Sequence, residues 1–167
     1  MQKTIRCILV SILAALTMSA NASQTCRSEG QIPSSAPYAR FSLQSGGTVI
    51  DKETGLIWSR CPYGTGGDYC VGIIQTLTWE EALNTADSQW RLPNIKELQS
   101  LVEVQCFDPA INNSMFLRIP SGSFWSSTPG GPISATSSAY ILDFETGKVN
   151  VSTRTSEHYV LLIRVAP

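Results

Sequence analysis

The sequence is poor in the residues that most enzyme and metal sites depend on. It has a single histidine, His158, and no C-x₂-C pair, so the usual ligand sets for zinc are missing. It also lacks a glycine-rich phosphate loop, a GxSxG elbow and an HExxH motif. We therefore expect a protein without catalytic activity, cofactor or metal.

Charge is scarce as well. Asp, Glu, Lys and Arg make up 15% of the chain, and no run of like charge occurs. A general electrostatic attraction to nucleic acid or to an anionic membrane depends on such runs, so neither partner is expected. Beyond residue 22 no apolar stretch is long enough to span a bilayer.

The first 22 residues have the pattern of a signal peptide. A basic start with Lys3 and Arg6 precedes an apolar run over 8–18, and an A-x-A cleavage site follows at 20–22. Two of the 12 Lys and Arg residues lie in this segment and all 13 Asp and Glu residues follow it, so the exported chain has a net charge of −3. We expect an irregular segment over 23–37 and one domain over 38–167, located in the periplasm or outside the cell.

Cysteine usage fits an exported protein. Cys7 leaves with the signal peptide, and an even number remains, which predicts two disulfides. Among three possible connectivities we favour Cys61–Cys70, which encloses the turn-rich octet PYGTGGDY, together with Cys26–Cys106. Zinc binding and lipidation of Cys26 are the less favoured alternatives.

Two capped helices are predicted at the centre of the chain. Thr78 and Glu81 form a capping box before an apolar stripe that ends near Ser88. Asn94 and Glu97 begin a second helix, whose stripe continues through Leu101 and Val102. Pro93 lies between the two and favours an extended link over 90–92.

Short strand patterns flank this helical pair. They lie at 40–43, 48–50, 55–58, 123–128, 139–144 and 148–152, and the run YVLLIRV over 159–165 predicts a central, buried final strand. The order of these elements, with strands first, then two helices and then further strands, indicates an α+β domain with a mostly antiparallel sheet and long loops. Phe116 is a candidate core residue between them.

The pentapeptide D-x-E-T-G occurs twice, at 51–55 and at 143–147. Its carboxylates are candidates for calcium binding or acid–base chemistry. We favour the alternative of two hairpin turns with similar residues, because an EF-hand loop needs more carboxylates and a closing glutamate.

Several segments together resemble one bacterial family, the C-terminal domain of the collagen-like adhesin Lcl. The matching segments cover roughly 41–165, in this order: TGLIWSRC (54–61), TWEEA (78–82), WRLPNIKEL (90–98), DPAIN (108–112), FWSS (124–127) and IRV (163–165). The helical part also looks like the core of formylglycine-generating enzymes, but the C-terminal cysteine pair of those enzymes is missing here.

The resemblance implies a C-type-lectin-like fold and a role in adhesion or in carbohydrate and host-surface recognition. The Lcl domain is linked to sulfated glycosaminoglycans and often forms trimers on a collagen-like stalk. This chain has no Gly-X-Y repeat, so a homo-oligomer stays an open alternative, as does a protein–protein interaction or structural role in a surface assembly.

Candidate binding residues follow from exposure and residue type. Tyr63 and Tyr69 lie in the octet between Cys61 and Cys70 and could contact a glycan, or else pack onto the domain. Lys148 and Arg154, with Arg118, could form a local basic patch. The four tryptophans are expected in the core, and Arg91 is expected to pair with Glu97 or a backbone carbonyl rather than with a ligand.

Overall fold

The computed structural model of the chain describes residues 24–131 and 137–165. The predicted signal peptide lies outside the described residues. Within those two ranges, no helix combines the length and apolar character needed to cross a membrane.

Strands dominate the described chain. In order they are β1 (Thr25–Cys26), β2 (Phe41–Gln44), β3 (Thr48–Asp51), β4 (Leu56–Ser59), β5 (Thr65–Gly66), β6 (Val71–Gly72), β7 (Thr76–Leu77), β8 (Cys106–Phe107), β9 (Ser123–Pro129), β10 (Ser138–Asp143), β11 (Lys148–Thr153), β12 (His158–Tyr159) and β13 (Ile163–Val165). A five-stranded sheet has the order β11-β10-β9-β12-β7, and a four-stranded sheet has the order β13-β4-β3-β2. All pairs are antiparallel except β12 with β9, so the predicted α+β class with a mostly antiparallel sheet is confirmed.

Both predicted helices are present, and both capping boxes are complete. They are α1 (Trp79–Asn84) and α2 (Ile95–Gln99), shorter at their C-terminal ends than the apolar stripes suggested. The hydroxyls of Thr85 and Ser100 donate to the carbonyls of Ala82 and Glu97, three residues earlier, at 2.7 Å in each case. Such local bonds compete with the continuation of a helix, which accounts for the early ends.

The prediction of one continuous final strand is wrong. The run divides into β12, inside the five-stranded sheet, and β13, at an edge of the four-stranded sheet. Between them the carbonyls of Val160 and Leu162 accept hydrogen bonds from the backbone N–H groups of Tyr63 and Ser59, at 2.9 and 2.8 Å. The apolar run is therefore buried, as expected, but it links two sheets instead of lying within one.

The core forms two clusters of buried side chains. The larger cluster includes Phe41, Trp58, Phe116, Phe124 and leucines of α2 and the segment after it, and the smaller one surrounds Trp125. Phe116 is fully buried and packs edge-on against Phe41 and Trp58, with ring centroids 5.4 and 6.5 Å apart. Its predicted core position is confirmed.

A buried carboxylate fastens the N-terminal segment to the domain. Glu103 is 3% exposed and accepts hydrogen bonds from the hydroxyl of Ser34 and from the N–H groups of Ser35 and Ala36. Burial raises the pKa of the Glu103 carboxyl, but these bonds outweigh it and hold the pKa below its usual value. The Cys26–Cys106 disulfide, predicted from the sequence, joins β1 to β8 beside this anchor.

Candidate functional site

The segment from Cys61 to Gln75, here called the disulfide loop, is the first candidate surface. The predicted Cys61–Cys70 disulfide closes it, and both cysteines are buried, with 2% and 0% exposure. Inside the loop β5 and β6 form a small antiparallel hairpin. The covalent closure therefore lies at the base of the loop, where the domain shields it from solvent.

Two arginines outside the hairpin hold the loop in place. Arg60 Nη1 donates to the carbonyl of Asp68 at 2.6 Å, and Arg118 Nη1 donates to the carbonyls of Cys70 and Gly72. The Asp68 carboxylate in turn accepts from the N–H of Gly47 at 2.8 Å. The loop is thus fastened by the residue that precedes it, Arg60, and by two separate parts of the chain, at Gly47 and Arg118.

Glycine permits the close packing of the two limbs of the loop. Gly64 has φ +88°, and a Cβ added there would lie 2.2 Å from the carbonyl oxygen of Ile73. No other residue type fits this approach of backbone on backbone. The conformation of the loop is therefore specified by its sequence as well as by the disulfide.

The outer side of the loop exposes large apolar side chains. Tyr69, Val71 and Ile73 are 82%, 76% and 80% exposed. Sequence reasoning identified Tyr69 but missed the other two, although apolar residues outside any periodic stripe were a usable signal. Side chains of this kind on a constrained loop are typical of an interaction surface.

A groove of about 380 Å³ runs beside the loop. Its lining includes Tyr63, Thr65 and Gln75, and Val71 borders it. Tyr63 is half-buried, so it contributes to the wall of the groove, whereas Tyr69 projects into solvent. The two tyrosines that the sequence placed in one site therefore have different environments within one loop.

The predicted basic residues do not come together. Lys148 is the first residue of β11 and Arg154 directly follows the last, so their Cα atoms are roughly 20 Å apart at ~3.3 Å per residue. The Arg118 side chain donates instead to two carbonyls of the disulfide loop. Arg154 instead lies over the indole of Trp79, with its guanidinium carbon 4.0 Å from the ring centroid.

Of the four tryptophans, two are core residues and two are not. Trp58 and Trp125 are fully buried, as expected, whereas Trp79 and Trp90 are half-buried and each is stacked by an arginine. Arg164 covers Trp90 at 5.0 Å. The two tryptophan–arginine pairs were not foreseen, because each arginine is distant in sequence from its ring.

Arg91 has the structural role that we expected. Its guanidinium forms two hydrogen bonds with Glu97, at 2.9 and 2.7 Å. This pairing raises the pKa of Arg91, although burial partly opposes it. The side chain holds the extended link against α2.

The two D-x-E-T-G segments are hairpin turns with matching hydrogen bonds. In each, the aspartate carboxylate accepts from the glutamate N–H and the threonine hydroxyl, for Asp51 at 3.1 and 2.7 Å and for Asp143 at 3.0 and 2.8 Å. Asp51 also binds buried Arg40 through two bonds of 2.8 and 2.5 Å. The preferred turn interpretation is confirmed. In the described part of the chain, no cluster of three or more His, Cys, Asp or Glu residues is placed to hold a metal ion.

One serine–histidine pair does occur, which sequence reasoning missed. His158 Nε2 lies 2.8 Å from Ser152 Oγ, and burial lowers the pKa of the imidazole. The ring packs edge-on against Trp125, with ring centroids 4.6 Å apart, and β12 lies inside the five-stranded sheet. No described carboxylate is hydrogen-bonded to the other ring nitrogen, and neither residue lines the groove beside the disulfide loop. The hydrogen bond joins β11 to β12.

A comparison with curated proteins finds no match. Residues 47–164, which include the disulfide loop, both helices and the start of β13, match the family described as the Lcl C-terminal domain. Membership indicates a surface-associated bacterial domain, and two disulfides are compatible with export. The chain belongs to the Lcl C-terminal domain family.

Proposed function

We propose that this protein is an exported, non-catalytic binding module that recognises a carbohydrate or another ligand of a cell surface. The disulfide loop provides the contact. The single observation that carries the proposal is the fixed backbone of that loop, which exposes the aromatic ring of Tyr69 and also contributes Tyr63, Thr65 and Gln75 to a groove. A preorganised loop loses little conformational entropy on binding.

The chemistry of the groove suits a sugar. The ring of Tyr69 offers a stacking face, and Tyr63, Thr65 and Gln75 add hydroxyl and amide groups along the groove. Among the described residues, the Gln75 amide has no hydrogen-bond partner in the protein, so it is available to a ligand hydroxyl. Aromatic faces with a few polar groups are the usual elements of such sites.

A C-type-lectin-like fold is part of this proposal. Support comes from the family membership and from two short capped helices inserted between antiparallel strands, with two disulfides fixing the loops. Homo-oligomer formation is an additional possibility within the proposal, and the chain acts in the periplasm or outside the cell.

The test is a glycan array screen with the chain that begins at Ser23, followed by titration of any glycan that binds. We expect Tyr69→Ala to lower the affinity at least about tenfold, because one lost stacking contact is worth roughly 1.4 kcal/mol. Tyr38→Ala is the matched control, since Tyr38 is also an exposed tyrosine, 66% accessible, but lies outside the loop. Absence of glycan binding, or equal losses in both variants, would reject the carbohydrate proposal.

A protein partner is the second candidate function. The aliphatic side chains of Val71 and Ile73 favour it, because sugars seldom need two exposed aliphatic groups. A stable oligomer in light scattering, or co-purification of an envelope protein that is lost in a Val71→Ser/Ile73→Ser variant, would support this alternative. Glycan affinity that survives the double variant would favour the carbohydrate.

A further inference from the structure

A second groove has a volume of about 400 Å³. The residues that line it all follow β7 in the chain, whereas the disulfide loop precedes β7. Its lining consists of Thr78, Trp79, Glu80, Leu83, Arg154 and Thr155. None of these residues belongs to the disulfide loop. A ligand in this groove would therefore bind independently of the function proposed above.

Trp79 forms a fixed wall of this groove. Its indole N–H donates to the carbonyl of Ser126 at 2.8 Å, and its backbone N–H donates to the carbonyl of Arg154 at 3.0 Å. The ring also packs against the core cluster around Trp125, beside Leu83. The apolar side of the groove is thus positioned before any ligand arrives.

Arg154 is equally fixed, and within the described chain its charge is not paired with a carboxylate. Nε donates to the carbonyl of Ser138 at 3.0 Å, and the guanidinium lies over the Trp79 ring. In the described chain, no carboxylate lies within ion-pair distance of Arg154, and neither Nη atom has a hydrogen-bond partner. A stacked guanidinium keeps its edge donors available for two parallel bonds to a carboxylate.

We propose that this groove binds a small monocarboxylate that carries an apolar group. The carboxylate pairs with the Nη atoms of Arg154, and the apolar group lies against Leu83 and Trp79. Glu80, which also lines the groove, disfavours ligands with a second negative charge. Arg154, predicted as part of a basic patch, thus becomes the single anion-binding group of a mostly apolar site.

Binding of 4-methylpentanoate, followed by amide NMR or calorimetry on the exported chain, tests this proposal. We expect millimolar binding, with acetate weaker because it lacks the apolar group. The neutral 4-methylpentanamide should bind at least about tenfold more weakly, because it forfeits the charge-assisted pair. Equal binding of the amide, equal binding of inorganic phosphate, or no binding of 4-methylpentanoate would overturn the proposal.

Two variants locate the site. Arg154→Gln should lower the affinity for 4-methylpentanoate at least about tenfold. Arg164→Gln, in the other tryptophan–arginine pair, should leave the affinity unchanged. An equal effect of the two substitutions would contradict the proposed site.

A third variant covers the case in which loss of the Arg154–Ser138 bond disturbs folding. Leu83→Ser removes the apolar wall and keeps Arg154. The substitution should lower the affinity for 4-methylpentanoate several-fold and leave the affinity for acetate unchanged. Unchanged binding of 4-methylpentanoate by this variant would refute the apolar half of the site.

Discussion

The two disulfides hold two regions of the molecule in different ways. Cys26–Cys106 connects residues 80 apart in sequence and fastens the N-terminal segment, with the carboxylate of Glu103 as a second anchor. Cys61–Cys70 connects residues 9 apart at the base of a hairpin, and the guanidinium groups of Arg60 and Arg118 bind backbone carbonyls of the same loop.

We infer from this difference that the N-terminal region stabilises the domain and that the disulfide loop serves the proposed recognition of a ligand. The N-terminal region directs its polar groups inward, toward a buried carboxylate. The disulfide loop is held from below and exposes Tyr69, Val71 and Ile73 outward. We therefore expect the first disulfide to matter mainly for the free energy of unfolding and the second mainly for ligand affinity.

Removing the long-range disulfide should have the largest effect on stability. For Cys26→Ser/Cys106→Ser, loop-closure entropy over the 80-residue separation predicts a loss of about 4–5 kcal/mol in the free energy of unfolding. Urea unfolding measures this loss. Ligand affinity, measured where the variant is still folded, should be unchanged; a parallel loss of affinity would contradict the separation of roles.

Removing the short-range disulfide should affect the free energy of unfolding less and the ligand affinity more. Cys61→Ser/Cys70→Ser should lower the free energy of unfolding by about 2–3 kcal/mol, because the enclosed loop is short. The affinity for a ligand of the disulfide loop should fall more than about tenfold. Without the disulfide the loop is disordered in the free protein, so its conformational entropy is lost on binding. Wild-type affinity in this variant would show that the disulfide does not preorganise the surface.

Acid should loosen the N-terminal region before the loop. The folded-state pKa of Glu103 is lowered, so its contribution is present above the unfolded glutamate value of about 4.3 and is lost as the pH falls through the folded value. The disulfide loop is closed by the covalent Cys61–Cys70 bond, which a fall in pH leaves intact.

Hydrogen exchange measured as the pH is lowered below 4 tests this order, since the amides of Ser35 and Ala36, which donate to Glu103, should lose protection first. Glu103→Gln should reduce the free energy of unfolding at neutral pH and flatten its dependence on pH below about 4.3. Protection of these two amides that does not change with pH in the wild type would refute the role of Glu103.

Arg118→Gln should have the smallest effect on stability. The side chain is exposed, so a change below about 1 kcal/mol is expected. Amides of 70–73 should exchange faster, because two carbonyls lose their donor. Unchanged exchange there would mean that the disulfide alone orders the loop.

Much of the scaffold could be predicted because its signals are local. The capping boxes at Thr78 and Asn94 and the two D-x-E-T-G turns each depend on bonds within five residues, and all four were predicted correctly. The cysteine pairing followed from the even count and the turn-rich octet.

The features that were missed depend on contacts between distant segments. Arg154 meets Trp79 only because β11 ends beside α1, and the final apolar run divides because its carbonyls bind Tyr63 and Ser59. The candidate site was therefore predicted in part: Tyr63 and Tyr69 in their loop were identifiable, but Val71, Ile73 and the groove beside Trp79 were not.

Mapping ligand contacts by amide NMR is the most direct test of the central claim that the disulfide loop recognises the ligand. The chain that begins at Ser23 would be titrated with a glycan or envelope protein found to bind it. We predict that the largest shift changes fall within residues 61–75 and that the N-terminal segment over 24–37 is unaffected. Changes concentrated in that segment, or elsewhere outside the loop, would contradict the account.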